Sequence, residues 1–368
     1  MSNERSRTRL AAASGFTLIE LLISMGLLTL VIGTTLSTMA DVMKSNDIVQ
    51  QTAAMNNGLR TSMDLIVRDM LQVGSGLPGG HTITIPNGPG ATPIRLPGPP
   101  GTNFTTDPAD ASIPAVIPRT GAGPVINGVA TDVLTVLMAD NTFVNVPLSA
   151  VGSTFVDVHP SVNIANGPDR VSTGQLMMIS KGSYTTLVQV TGVSASTRRL
   201  TFADGDSLNL NQSSATQGSL PALNAVAPVN SASATNITRV RMITYYIDAT
   251  TDPSHPRLVR RINNGHPTTF SNTLGTAVAM DIDNLSFSYD ISNGLNNPGA
   301  VRMLPVDLTT SGACSPVACA PTQIRKINIA ITGRARNSTQ AAMKPYRNTL
   351  QSEVALRGMA FVDRYRSS

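Results

Sequence analysis

Hydrophobic and polar positions divide the chain into stretches with different periods. From Phe16 to Ala40 the residues are almost wholly apolar, and Glu20 is the one charged side chain among them. Such a run is long enough to cross a bilayer as a slightly tilted helix. Gly26 and Gly33 weaken it, but a backbone in lipid must satisfy its own hydrogen bonds, so helix is the expected state. A carboxylate at the centre of a membrane helix costs about 2.5–3.5 kcal/mol, less near the interface. Glu20 is therefore expected to have a use, that of meeting a positive charge inside the membrane.

Beyond Ala40 the pattern turns amphipathic without a break. Val42, Val49, Ala53, Leu59, Met63, Ile66, Met70 and Val73 recur mostly at three-, four- and seven-residue steps, a helical stripe. Lys44, Arg60, Asp64, Arg68 and Asp69 are expected on other faces. Gly74, Gly76 and Pro78 end the element. A helix from Phe16 to Val73, with 41–74 continuing into a head, would be about 87 Å long. Residues 75–124 are Pro- and Gly-rich and predict an extended region with short edge strands at most. The remainder, 125–368, predicts a β-rich globular head. Its strand-like runs include Asp132–Met138, Gln175–Lys181, Tyr184–Val193, Ile237–Asp248, Arg257–Ile262, Ala277–Tyr289 and Ile324–Thr332. The Ser-, Asn- and Gln-rich segment 204–236 predicts a surface loop or linker. The expected class is α+β.

Composition narrows the function. Charged residues are 13% of the chain, about half the usual share, which suits a β-rich protein outside the cytosol. Trp is absent and aromatics are only 4%, which disfavours a carbohydrate site built on stacked aromatic platforms. Of the net charge of +5, residues 1–15 supply +2 through Arg5, Arg7 and Arg9 against Glu4. The remaining +3 is an ordinary solubility charge, and nucleic acid is an unlikely partner. The two cysteines, Cys314 and Cys319, are close enough in sequence for a local disulfide in an exported protein, the alternative being two free thiols. Closing so short a loop stabilises by about 2 kcal/mol.

The small residues Ala-Ala-Ala-Ser-Gly precede the apolar core, whereas a secretory signal places its cleavage site after it. A cut at Gly15 would leave the apolar segment attached, with a new amine on Phe16. The basic residues ahead of it predict a cytoplasmic leader, 1–15, and a head on the other side. The run GFTLIELLISMGLL resembles the signal of the type IV pilin family, which includes pilins and type II secretion pseudopilins. That resemblance implies cleavage by a prepilin peptidase between Gly15 and Phe16, and N-methylation of Phe16. It also implies a role for Glu20 in engaging the N-terminal amine of a neighbouring subunit, a pairing that low dielectric favours. Major pilins usually carry a helix-loosening proline in this segment. Here none occurs before Pro78, which points to a minor pilin or pseudopilin.

Further along, QLMMISKGSYTTLVQVTGV, RVRMITYYI, LVRRIN and VAMDIDNLSFSYDI resemble the family of type IV pilus assembly protein W, a large minor pilin. The J pseudopilin of type II secretion is similar around LVRR and LSFSY. The partners implied are prepilin peptidase, other major and minor pilins, the inner membrane and the pilus assembly machinery. The implied location is the inner membrane with a periplasmic head, then the pilus. An adhesion or DNA-capture module on a pilin stem is the alternative from another class. His81, His159, His255 and His266 lack metal-site spacing, and no nucleophile motif is present. Asp204-Gly-Asp206 and Asp281-Ile-Asp283 do not continue into a calcium loop. No cofactor and no catalytic activity are expected.

Overall fold

The computed structural model describes residues 15–79, 81–107, 109–167, 169–226, 235–263, 275–292, 301–305, 320–335 and 345–359. The architecture is α+β, one long apolar N-terminal helix followed by a β-rich head. The helix spans Leu18–Met70, about 80 Å at 1.5 Å per residue. It runs through Asn56-Asn57-Gly58 without interruption. Its C-terminus unwinds into turns around Gly74 and Gly76, whose φ angles of 76° and 67° favour glycine. A Cβ on Gly76 would sit 2.6 Å from that of Ala139, so the exit from the helix is also tight.

Burial along this helix changes abruptly. Residues 15–50 are all exposed, whereas Met55, Leu59, Met63, Ile66 and Met70 are buried. Val42 and Val49, expected on the packing stripe, are exposed at 62% and 61%. The head reaches no further up the helix than Gln51. Its contacts come from strands Thr276–Met280, Ile324–Arg334 and Arg347–Ala355. Gly333 lets the surfaces meet closely, since a Cβ there would lie 3.2–3.3 Å from Met55 and Leu59.

The head is organised by the 14-residue strand Thr235–Asp248. It pairs antiparallel with Leu176–Lys181 and then Arg257–Ile262 along one edge. Along the other edge it pairs with Val146–Val151 and Val133–Ala139. Ile243, Tyr245 and Ile247 face a core shared with the helix, while Val240 and Met242 face a separate cluster. Coverage of both faces explains why this strand is buried almost throughout, although half of its residues are polar. A second, four-stranded sheet orders Val301–Pro305, Ile282–Ser292, Ile324–Arg334 and Arg347–Ala355. The expected single strand Ala277–Tyr289 is two strands. At Asp281, with φ of 59°, the chain leaves the large sheet and enters the smaller one. Tyr184–Val193 is likewise split, into Tyr184–Gln189 and Gly192–Ser194, and strands Val146–Val151 and Phe155–Val158 were not anticipated.

Two polar segments differ from expectation. In the Pro-rich stretch Ile83, Ile85, Ile94, Leu96 and Ile113 are buried, and they share one cluster with Leu208 and Leu210. Residues 204–226, expected as a surface loop or linker, are therefore largely packed against the head and include a short helix, Leu220–Ala225. The part of the expected loop at 227–234 lies outside the described residues. Side chains replace the missing ladder bonds. Asp206 accepts from the backbone N–H groups of Leu208, Leu210 and Asn211. Gln212 accepts from Thr92 N–H at 2.8 Å and donates to Thr92 O at 2.8 Å.

Asp69, expected away from the packing stripe, is buried. Arg260 grips it with Nε and Nη2 at 2.7 and 3.0 Å, and the Tyr245 hydroxyl donates to the same carboxylate. Burial first, and the Asp69 charge second, push the Tyr245 phenol well above its usual value, so it remains a donor. The cluster ties the base of the helix to two neighbouring strands. Asp69→Ala should cost about 3 kcal/mol, because it leaves Arg260 without its counter-charge. Urea unfolding of the full chain in detergent micelles checks this; an unchanged midpoint would remove the anchoring role.

Candidate functional site

The exposed N-terminal half of the helix is the candidate site. Between Leu18 and Ala40 about 23 residues cover roughly 35 Å, against about 30 Å of bilayer hydrocarbon. The helix is long and apolar enough to cross a membrane. Most of its hydroxyls are satisfied within the helix: Ser24 donates to Leu21 O, Thr29 to Met25 and Gly26 O, and Thr38 to Thr34 O. Thr34 and Thr35 bond back one turn in the same way. Most hydroxyls of this span are thus spared the need for water, while the Glu20 carboxylate is not.

Glu20 sits in the first turn as part of a reciprocal cap. Its Oε2 accepts from Thr17 N–H at 3.0 Å and Thr17 Oγ at 2.9 Å, while its own N–H donates to Thr17 Oγ at 3.4 Å. The helix N-terminus favours a negative charge at this position. The carboxylate remains exposed, and Oε1 has no hydrogen bond among the described residues. Gly15 and Phe16 lie just before the cap, outside the helix, and Phe16 is 86% exposed. The three residues expected to act together, Gly15, Phe16 and Glu20, thus occupy one helix end with an unused acceptor.

The other sequence candidates are taken up elsewhere or lie outside view. Cys314, Cys319 and His266 fall outside the described residues. His159 bonds Ser161 through Nδ1 at 2.8 Å, and His255 Nδ1 lies 2.6 Å from Asp281. Asp204 accepts from Ser213, and Asp206 accepts three backbone N–H groups, so both carboxylates face donors rather than a cation. Asp283 faces Arg334 and Arg347. Among the described residues no group of three His, Cys, Asp or Glu side chains could hold a metal. In strand Arg257–Ile262, Arg257 and Arg260 turn to Asp248 and Asp69, and Arg261 donates to Gly98 O. The Asp69 cluster was missed because one acid within a charged surface pattern looks solvated. Its signal is position, one residue before Met70 and three after Ile66.

Comparison with known proteins finds no matching family model, curated protein or solved structure. The class that the fold and site define is a β-rich head on a helix able to span a bilayer. Leu30→Arg, near the middle of that span, should raise the insertion cost by about 3 kcal/mol, roughly a hundredfold. Carbonate extraction of membranes expressing each form checks this: the variant should move from pellet to supernatant.

Proposed function

We propose that this chain is a minor pilin of a type IV pilus, held in the inner membrane by its N-terminal helix until it enters a filament. The observation that carries this reading is the Gly15-Phe16…Glu20 arrangement at the head of a helix whose first 33 residues, Leu18 to Gln50, are exposed and covered by no other described part of the chain. Cleavage after Gly15 removes the basic leader and creates an ammonium group on Phe16. Glu20 then offers its free carboxylate oxygen to the amine of another subunit. Each charge is costly alone in hydrocarbon, so the pair sets the axial register of neighbouring helices more than it adds stability. The uncovered apolar face supplies the rest of the contact.

The bulk of the head supports a place at or near the filament tip, where nothing need pack above it. The lack of proline before Pro78 supports a minor rather than a major subunit. A pseudopilin of a type II secretion system would use the same helix chemistry. Deletion separates the two readings: loss of pili with secretion intact supports the first, and the reverse supports the second.

Mass spectrometry of the mature protein should find an N-methylated Phe16 as the first residue. Gly15→Val should leave a precursor of full length on a gel, because the peptidase must close around an unhindered bond. Glu20→Ala should be cleaved normally yet fall about tenfold in sheared filaments, consistent with the loss of one charge-assisted contact. Wild-type incorporation would sink the docking role.

A further inference from the structure

The Pro-rich segment builds a cavity in the head that the pilin reading does not use. Pairing of Thr82–Thr84 with Ser112–Pro114, and of Arg95–Leu96 with Phe104–Thr105, sets two short ribbons beside strand Val116–Arg119. Residues from all three line a space of about 710 Å³, within the usual range for small-molecule sites. Leu96, Ile113 and Ile117 give it an apolar side, and Thr82, Thr105 and Ser112 supply hydroxyls.

Arg119 is the one cation lining this space among the described residues. Its guanidinium lies over the Phe104 ring, 4.5 Å from the centroid, and Nη2 reaches Thr105 O only at 3.5 Å. The Nε atom is buried and has no partner among the described residues. Burial alone pushes the group below its usual value, with no carboxylate acting against it. Arg260, Arg257, Arg241 and Arg347 each meet an aspartate at 2.6–2.8 Å. A half-buried guanidinium without such a partner is costly, and its planar fork matches a carboxylate. Asp107 and Asp110 line the same cavity. They brace their own turn through one oxygen each, Asp107 N–H donating to Asp110 at 3.0 Å and Ala109 N–H to Asp107 at 2.9 Å. Their second oxygens can accept from hydroxyl groups.

We propose that the cavity binds an acidic sugar, its carboxylate on Arg119 and its hydroxyls on the threonines, Ser112 and the two aspartates. A free sugar acid and the terminal residue of a glycan present the same chemistry. The site needs no stacked aromatic platform, which reconciles it with a chain poor in aromatic residues. Its existence does not depend on what the N-terminal helix does.

Calorimetric titration of the full chain in detergent micelles tests this, with glucuronate as probe and glucose and acetate as controls. Glucuronate should bind saturably at one site, and each control at least about tenfold more weakly, since each lacks one half of the recognition. Arg119→Gln should weaken glucuronate about tenfold. Ser112→Tyr, which fills the cavity while keeping the guanidinium, should abolish binding with an unchanged melting temperature. A disaccharide ending in glucuronate assigns the source: equal or tighter binding favours a glycan end, and loss favours the free acid. No saturable heat, equal affinity in both variants, or acetate binding as tightly as glucuronate would overturn the proposal.

Discussion

A single unbroken helix serves two environments, and the remainder of the molecule is arranged around that fact. Up to Gln50 its side chains are exposed and largely apolar; from Met55 they are sealed into the head. No proline and no break in the helix separates the halves, so one continuous element joins the head to the membrane-length segment. Anchorage at the base is correspondingly strong. Met55, Leu59, Met63, Ile66 and Met70 supply the apolar seal, and the Asp69–Arg260–Tyr245 cluster fixes rotation about the axis. Apolar contacts alone tolerate sliding; a bidentate pair with a third donor does not.

Buried aspartates perform similar work throughout the head. Asp132 accepts Gly121 N–H and Phe287 N–H, each at 2.8 Å, and so joins a loop to the smaller sheet. Asp140 holds Arg241 and Thr142, and Asp248 holds Arg257 with Thr250 and Thr251. Burial pushes the Asp248 carboxyl up, but those hydrogen bonds outweigh it and hold the group well below the usual carboxylate range. A chain with few charges thus spends many of them internally, each joining segments distant in sequence. Long irregular stretches can then be ordered without regular ladders.

This separation of tasks suits a subunit whose helix packs with others while its head meets the surroundings. The helix end carries an exposed carboxylate, Glu20, with one oxygen that has no hydrogen bond among the described residues. The head carries Arg119, a cation with no carboxylate partner among the described residues, in an open cavity lined with hydroxyls. In the readings proposed above, the first would meet a protein amine and the second a small hydrated anion.

Much of this was legible in the residues themselves. The apolar run with its lone Glu20, the amphipathic continuation and the strands Arg257–Ile262 and Leu176–Lys181 follow from local periodicity, because helix and strand bury faces at periods of 3.6 and 2. The residues of the candidate site, Gly15, Phe16 and Glu20, were also legible: they lie within six positions, and the resemblance of that run to the pilin signal, not periodicity, singles them out. Burial of 74–124 and 204–226 was not, since Pro, Ser and Asn signal irregular backbone but not whether that backbone lies over a core. Nor was Asp69, whose partners are 176 and 191 positions away. Local pattern determined which elements form, and tertiary structure alone decided which polar groups meet, because only folding brings distant donors and acceptors together out of water.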